Sequence, residues 1–132
     1  MPGSYTSQPS RKFVAGENLA SYRVVTGTTA AAVLLADDAT EPPVGTTGID
    51  GGVTSGDKVD VLLMNAPGTR LLTAGAAITA GAAVAVTTAG KVITATSENY
   101  IFGVALEAAA ADGAVIEVLP AAGGGLYAPS GS

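Results

Sequence analysis

Short runs of alternating apolar and polar residues dominate the chain, and their period of about two is the period of strands rather than helices. Val84, Val86, Val92 and Thr94 alternate with Ala85, Ile93 and small residues on either side of Thr87-Thr88-Ala89-Gly90, which predicts two strands joined by a hairpin loop. Val59, Val61 and Leu63 surround Asp60, and Val115, Ile116, Val118 and Leu119 flank Glu117. A half-buried strand in each place puts the carboxylate on the face opposite its apolar neighbours. One segment competes: Leu106–Ala111 (LEAAAA) has high helix propensity. It is only six residues long before Asp112-Gly113, too short for a stable isolated helix, and reads as a loop.

The strands recur. Gly16 aligns with Gly75 at an offset of 75 − 16 = 59 residues, and the same offset aligns Leu19 with Ile78, Val25 with Val84 and Val33 with Val92. Further on the offset slips as loop deletions would make it slip: to 58 at Gly45 and Gly103, and to 57 at Gly56 and Gly113, where GDKVDVLL lies over GAVIEVLP. Two tandem copies of one β unit, residues 13–63 and 72–120, follow from this alignment. The segment matching the LEAAAA stretch, Gly48–Ser55 (GIDGGVTS), cannot be helical, which strengthens the loop assignment. Residues 1–12 and 121–132 are polar or Gly-rich and lack periodicity, so they read as extended N- and C-terminal arms around a single β domain, 13–120. The expected fold is all-β: a compact antiparallel barrel or sandwich built from the two similar modules. Whether the halves close as two small barrels or share one sandwich is left open by the pattern.

Composition changes this picture in two ways. Of the 132 residues 48% are hydrophobic, but with four Tyr, two Phe and no Trp the core must be made of small pieces. At roughly 25 cal/mol per Å² of buried apolar surface, such a core gains less per residue than an aromatic-rich one, so stability drawn from oligomerisation is expected. The net charge of −5 comes with only six Lys and Arg, scattered at Arg11, Lys12, Arg23, Lys58, Arg70 and Lys91. Without a cationic cluster to neutralise phosphates, neither nucleic acid nor an anionic membrane is an expected partner. Met1–Ser10 has no apolar core of a secretory signal, and no apolar run reaches spanning length, so a soluble protein made in the cytoplasm is expected.

The chain has neither His nor Cys, which removes the commonest general base, the commonest metal ligand and the best nucleophile. Asp37, Asp38 and Glu41 crowd one loop, but they lack the order of a calcium loop and precede Pro42-Pro43, as in an exposed, stiffened turn. The glycines at 45–52 have no helix after them to meet a phosphate, and Val92 follows Gly90-Lys91 where a P-loop needs Ser or Thr. No catalytic residue, metal or cofactor is expected, and an enzyme relying on carboxylates alone is a remote alternative. The candidate residues are instead interfacial: Tyr5, Arg11, Lys12 and Phe13 at one end, Leu126 and Tyr127 at the other. Tyr and Arg are favoured at interface hot spots.

Three phrases, TAGAAITAGAAVAV (73–86), GKVITAT (90–96) and above all IFGVALEAAAADGAVIEVLP (101–120), resemble the head-decoration, or capsid cement, proteins of tailed bacteriophages. The similarity covers roughly Phe13 to Leu119; its strongest part is the order G-V-A-L-E-A-A, then D-G, then a Val and Ile strand. The resemblance implies a small β-rich protein on the outer capsid surface of a virion, with the major capsid protein and sister subunits, commonly in a homotrimer, as its partners. The alternative is another virion β-module, from a tail or baseplate, or a carbohydrate-binding surface protein.

Overall fold

A computed structural model describes residues 10–28, 32–37, 43–64, 66, 68–96, 100–120 and 126–127, with only the backbone of Tyr100, Leu126 and Tyr127. The first module contains β1 (Ser10–Ala15), β2 (Val24–Gly27), β3 (Ala32–Leu35), β4 (Pro43–Thr46) and β5 (Lys58–Leu63). They close into a barrel in the order β1-β3-β2-β4-β5. The second contains β6 (Arg70–Thr73), β7 (Ala83–Val86), β8 (Val92–Thr94), β10 (Gly103–Ala105) and β11 (Val115–Pro120), with the short β9 (Tyr100–Ile101) inserted between β8 and β10. These five form a sheet in the order β6-β11-β10-β7-β8, while β12 (Leu126–Tyr127) pairs with β9. The all-β expectation and its two tandem modules hold. The pairing is not purely antiparallel, however, because β1 runs parallel to β3.

The repeat is reproduced at the level of single backbone pairs. Ala15 opposes Val33 in the first module, and Ala74 forms the same parallel bridge to Val92 in the second. Val25 opposes Gly45 just as Val84 opposes Gly103, and Lys12 opposes Asp60 just as Leu71 opposes Glu117. Gly16 and Gly75 each donate their N–H to the carbonyls of Val33 and Val92 at 2.8 Å. Gly56 and Gly113 each turn the chain with positive φ, +93° and +96°. Leu106–Ala111 is a loop, as expected, pinned by the two-way hydrogen bonds of Ala109 with Ile78.

One equivalent pair differs. Gly81 has φ of +89°, whereas its counterpart Tyr22 adopts φ of +59° with a full side chain, a conformation that costs a non-glycine residue roughly 1–2 kcal/mol. Around Gly81 there is open space for a methyl group. Gly81→Ala is therefore expected to lose about 1 kcal/mol through backbone strain alone, seen as a lower urea midpoint with an unchanged slope.

Each module has its own core of small side chains. Ala15, Leu19, Val25, Val33, Val59 and Val61 fill the barrel. The second core gathers Leu72, Ile78, Val84, Phe102, Ile116 and Val118 among others, and it also takes in Val24 and Ala36 from the first module. Backbone contacts reinforce the join: the Thr73 N–H donates to the Tyr22 carbonyl at 2.9 Å and the Gly90 N–H to the Ala36 carbonyl at 2.6 Å. Arg23 Nη1 donates to the Ala89 carbonyl at 3.0 Å, and Arg70 Nη2 to the Leu63 carbonyl at 2.7 Å across the linker. Arg70 is only 3% exposed, and desolvation lowers its pKa.

Three local expectations are corrected. The first strand starts at Ser10, so Arg11 and Lys12, expected in an arm, lie in the barrel wall opposite Val61 and Asp60. Lys12 points to the wet face of the strand, and Arg11, on the other face, lies against the Phe13 ring. Pro43, read as part of an exposed turn, opens β4 beside a shift of register against β2, a place where the missing N–H interrupts no ladder. In β11 only Ile116 and Val118 face the core, so Val115 and Leu119 share the outer face with Glu117.

Candidate interaction surfaces

The residues singled out in the sequence fall on two separate places. In β1 the Arg11 guanidinium stacks 4.8 Å from the Phe13 ring centroid, on the face opposite Lys12. Lys12 Nζ donates to Asp60 Oδ1 at 3.1 Å, with the two side chains 65% and 63% exposed. Such a pair contributes about 0–1 kcal/mol after solvent screening. Lys12→Ala is accordingly expected to leave the thermal midpoint nearly unchanged, so a large effect of this variant on association reads an interface and not the fold. Leu126 and Tyr127 belong to the second module, where their backbones pair with Ile101 and Tyr100. Tyr5 lies outside the described residues.

A shallow basin of about 450 Å³ opens beside Lys12, lined also by Ile49, Asp50, Lys58 and Asp60. Ile49 is 74% exposed at its rim. The equivalent outer face of the second module has a different character. Leu71 replaces Lys12 and Val115 replaces Lys58, while Leu119 and Val104 stand where the first module has Leu62 and Thr46. Leu71, Val104, Leu106, Val115 and Leu119 are all 37–49% exposed. Glu117 and Glu107 break this apolar surface: the Glu117 carboxylate accepts a bond from Thr69 Oγ1 at 2.6 Å, and the Glu107 carboxylate accepts the Glu117 N–H at 2.8 Å. Clustered apolar exposure of this kind marks contact surfaces. Sequence reading missed it, although the signal was present: apolar residues occupy both parities of β11, at Val115 and Leu119 as well as Ile116 and Val118, whereas β5 alternates strictly at Lys58, Val59, Asp60 and Val61.

Among the described residues no three acidic side chains come together as metal ligands. Nor is any described helix long and apolar enough to cross a membrane. The notable electrostatic contact is a tie within the second module. Lys91 Nζ donates to Asp112 Oδ1 at 2.8 Å, and this hydrogen bond, with the attraction of the ammonium charge, holds the Asp112 carboxyl below its ordinary pKa. A depressed carboxylate contributes stability above its unfolded pKa of about 3.9, which is lost as pH falls through the folded value. Asp112→Asn is expected to flatten the acid limb of the stability profile below about pH 4, measured by urea midpoints at successive pH values.

The profile of the phage cement proteins matches residues 13–120, the whole two-module unit. The chain belongs to the phage cement protein family. Its role is structural, the decoration of a phage head, which places it with the virion capsid. Among solved structures the cement protein resembles the N base of the head fiber gp8.5 of bacteriophage phi29 with a TM-score of 0.69. The two are 21% identical, and the match covers 85% of this chain and 92% of the other, so the fold is shared. No curated protein sequence matches this one.

Proposed function

We propose that the protein is a non-catalytic cement that binds the major capsid protein on the outer surface of a phage head and stabilises its lattice as a homotrimer. The observation carrying this reading is the conjunction of family membership across residues 13–120 with a cluster of exposed apolar side chains on the outer face of the second sheet, the kind of surface that marks contact sites. A net charge of −5 suits the outside of a shell, away from packaged DNA, and gives nucleic acid no purchase. The absence of His and Cys suits a protein that performs no chemistry. Synthesis in the host cytoplasm fits the same reading. Many copies on one lattice turn weak individual contacts into firm attachment.

The direct test adds the purified protein to undecorated heads and sediments them. Saturable binding of many copies to mature shells is expected, with raised resistance of the shells to heat. Binding to tails or to glycans instead would move the protein to the alternative class of virion β-modules, and a strict monomer indifferent to shells would refute the reading. The N-terminal arm is proposed as a capsid clasp, and truncation at its boundary tests it. Because β1 starts at Ser10, the deletion has to stop at Pro9 to spare the barrel. Reduced shell binding with an unchanged thermal midpoint is expected, and unchanged binding refutes the clasp.

A further inference from the structure

The two modules provide an internal comparison, because the same structural positions occur twice in one chain under different cover. In the first module Thr46 is 2% exposed and Leu62 is half-buried. What faces them is the second module, across a cleft of about 170 Å³ that Thr46 and Leu62 line together with Thr69 and Leu71 of the β6 region. In the second module the matching positions, Val104 and Leu119, are 37% and 48% exposed, with no described module against them. They are also at least as apolar as their counterparts: Val stands in place of Thr, with Leu retained. A surface that is covered by the neighbouring module in one copy and left apolar and uncovered in the other has the form of an unfinished stack.

We infer that the outer β10–β11 face of the second module docks against β1 and the adjoining basin of the first module of a second copy, so that chains assemble head to tail. This deepens the homo-oligomeric reading proposed above and rests on it. In the quasi-equivalent contact β1 takes the place of β6, with Lys12 where Leu71 stands. The basin offers two lysines to the carboxylates of the other face, while carrying no net charge of its own. The second module's face carries Glu107 and Glu117 and no lysine among the positions named, while the basin carries Lys12 and Lys58 beside Asp50 and Asp60, with exposed Ile49 for the apolar part. Pairing two second-module faces with each other would oppose carboxylates to carboxylates, an arrangement that disfavours association. A contact between unlike faces is heterologous, and it closes into a ring when the rotation between copies permits.

The test uses the full chain and light scattering or sedimentation over a concentration series. Leu119→Glu places a carboxylate on the apolar face, and Lys12→Glu reverses the charge on the opposite one. Each alone is expected to weaken self-association roughly thirtyfold or more. Circular dichroism and the thermal midpoint check that both variants remain folded, as their exposed positions predict. The decisive arm mixes the two variants. One retains an intact first-module face and the other an intact second-module face, so the mixture is expected to form one-to-one dimers that neither variant forms alone. A mixture that stays monomeric overturns the head-to-tail assignment. Retention of the wild-type oligomer by Leu119→Glu shows that self-association runs through another face, including the arms, and also overturns it while sparing the broader reading. A wild-type chain that remains a monomer at about 100 µM, far above the affinity range of standard interfaces, removes both. Truncation of residues 1–9 is expected to leave the oligomer intact; its dissociation would assign the face to the arm and refute the proposal.

Discussion

Replacing Gly45 or Gly103 with alanine is expected to destabilise the protein by about 3 kcal/mol. Both glycines lie where β4 and β10 pass close to the neighbouring strand of their module. A Cβ at Gly45 would run into the Leu62 carbonyl oxygen and come within 2.6 Å of Val61 Cγ1. At Gly103 it would meet the Leu119 carbonyl oxygen in the same way, with Pro120 Cα at 2.9 Å. In both cases the obstacle is backbone held in a sheet ladder, which cannot withdraw as the end of a flexible side chain can. Gly48 is the control, because nothing lies within 4 Å of the Cβ it would gain. Gly48→Ala is expected to stay within about 0.5 kcal/mol of the parent. Urea denaturation separates the outcomes: a large fall in midpoint for the first two and none for the third. Equal midpoints for all three would mean that β4 and β10 do not approach their neighbours this closely.

Leu72→Ala is expected to cost about 2–5 kcal/mol and to lower the stability of both modules together. Leu72 is completely buried, and truncating it opens a cavity that strands β6 and β11, paired through Leu72 and Ile116, cannot collapse without losing register. The loss is a large share of the 5–15 kcal/mol that holds a domain of ordinary size. It spreads to the first module because Val24 and Ala36 are part of the same cluster as Leu72. A single cooperative transition by circular dichroism and by calorimetry, shifted downward as a unit, is the expected observation. Two separable transitions, with only one of them moved, would show that the modules fold independently and that Val24 is a passive neighbour.

The duplication was legible because glycine carries structural information that Ala and Val do not. Gly45 and Gly103 are required by close strand approach and Gly56 and Gly113 by positive φ, so they stand in both copies, within one residue of the same spacing, where the residues around them differ. Tyr22 shows the limit of that signal: its φ matches Gly81, yet nothing in its side chain announces it. The parallel pairing of β1 with β3 was hidden for a different reason. It joins Ala15 to Val33 across the intervening β2, and a period of two is the same for parallel and antiparallel neighbours. The start of β1 was obscured by Arg11 and Lys12, whose polarity reads as an arm until Lys12 is known to face solvent and Arg11 to stack on Phe13. The outer apolar face needed the packed second sheet itself, since only its core decides which parity of β11 points inward. Alternation places Glu117 opposite Ile116 and Val118, and the same rule puts Val115 and Leu119 beside it.

The ties between the modules sit at two ends of the join rather than at one. Arg70 grips the Leu63 carbonyl where the linker enters, and the tip of the β7–β8 hairpin is fixed by Gly90 to Ala36 and by Ala89 to Arg23. Gly90 has no room for even a methyl group there, since its Cβ would stand 3.0 Å from that of Arg23 and 3.1 Å from the Val24 nitrogen. A body clamped at one point swivels and one clamped at two still turns about the line between them, but here the Thr73 N–H on the Tyr22 carbonyl and the packing of Val24 and Ala36 into the second core oppose that turn as well. The protein is thus built as a short strut: a push delivered to one module reaches the other as rigid displacement instead of being lost in a hinge.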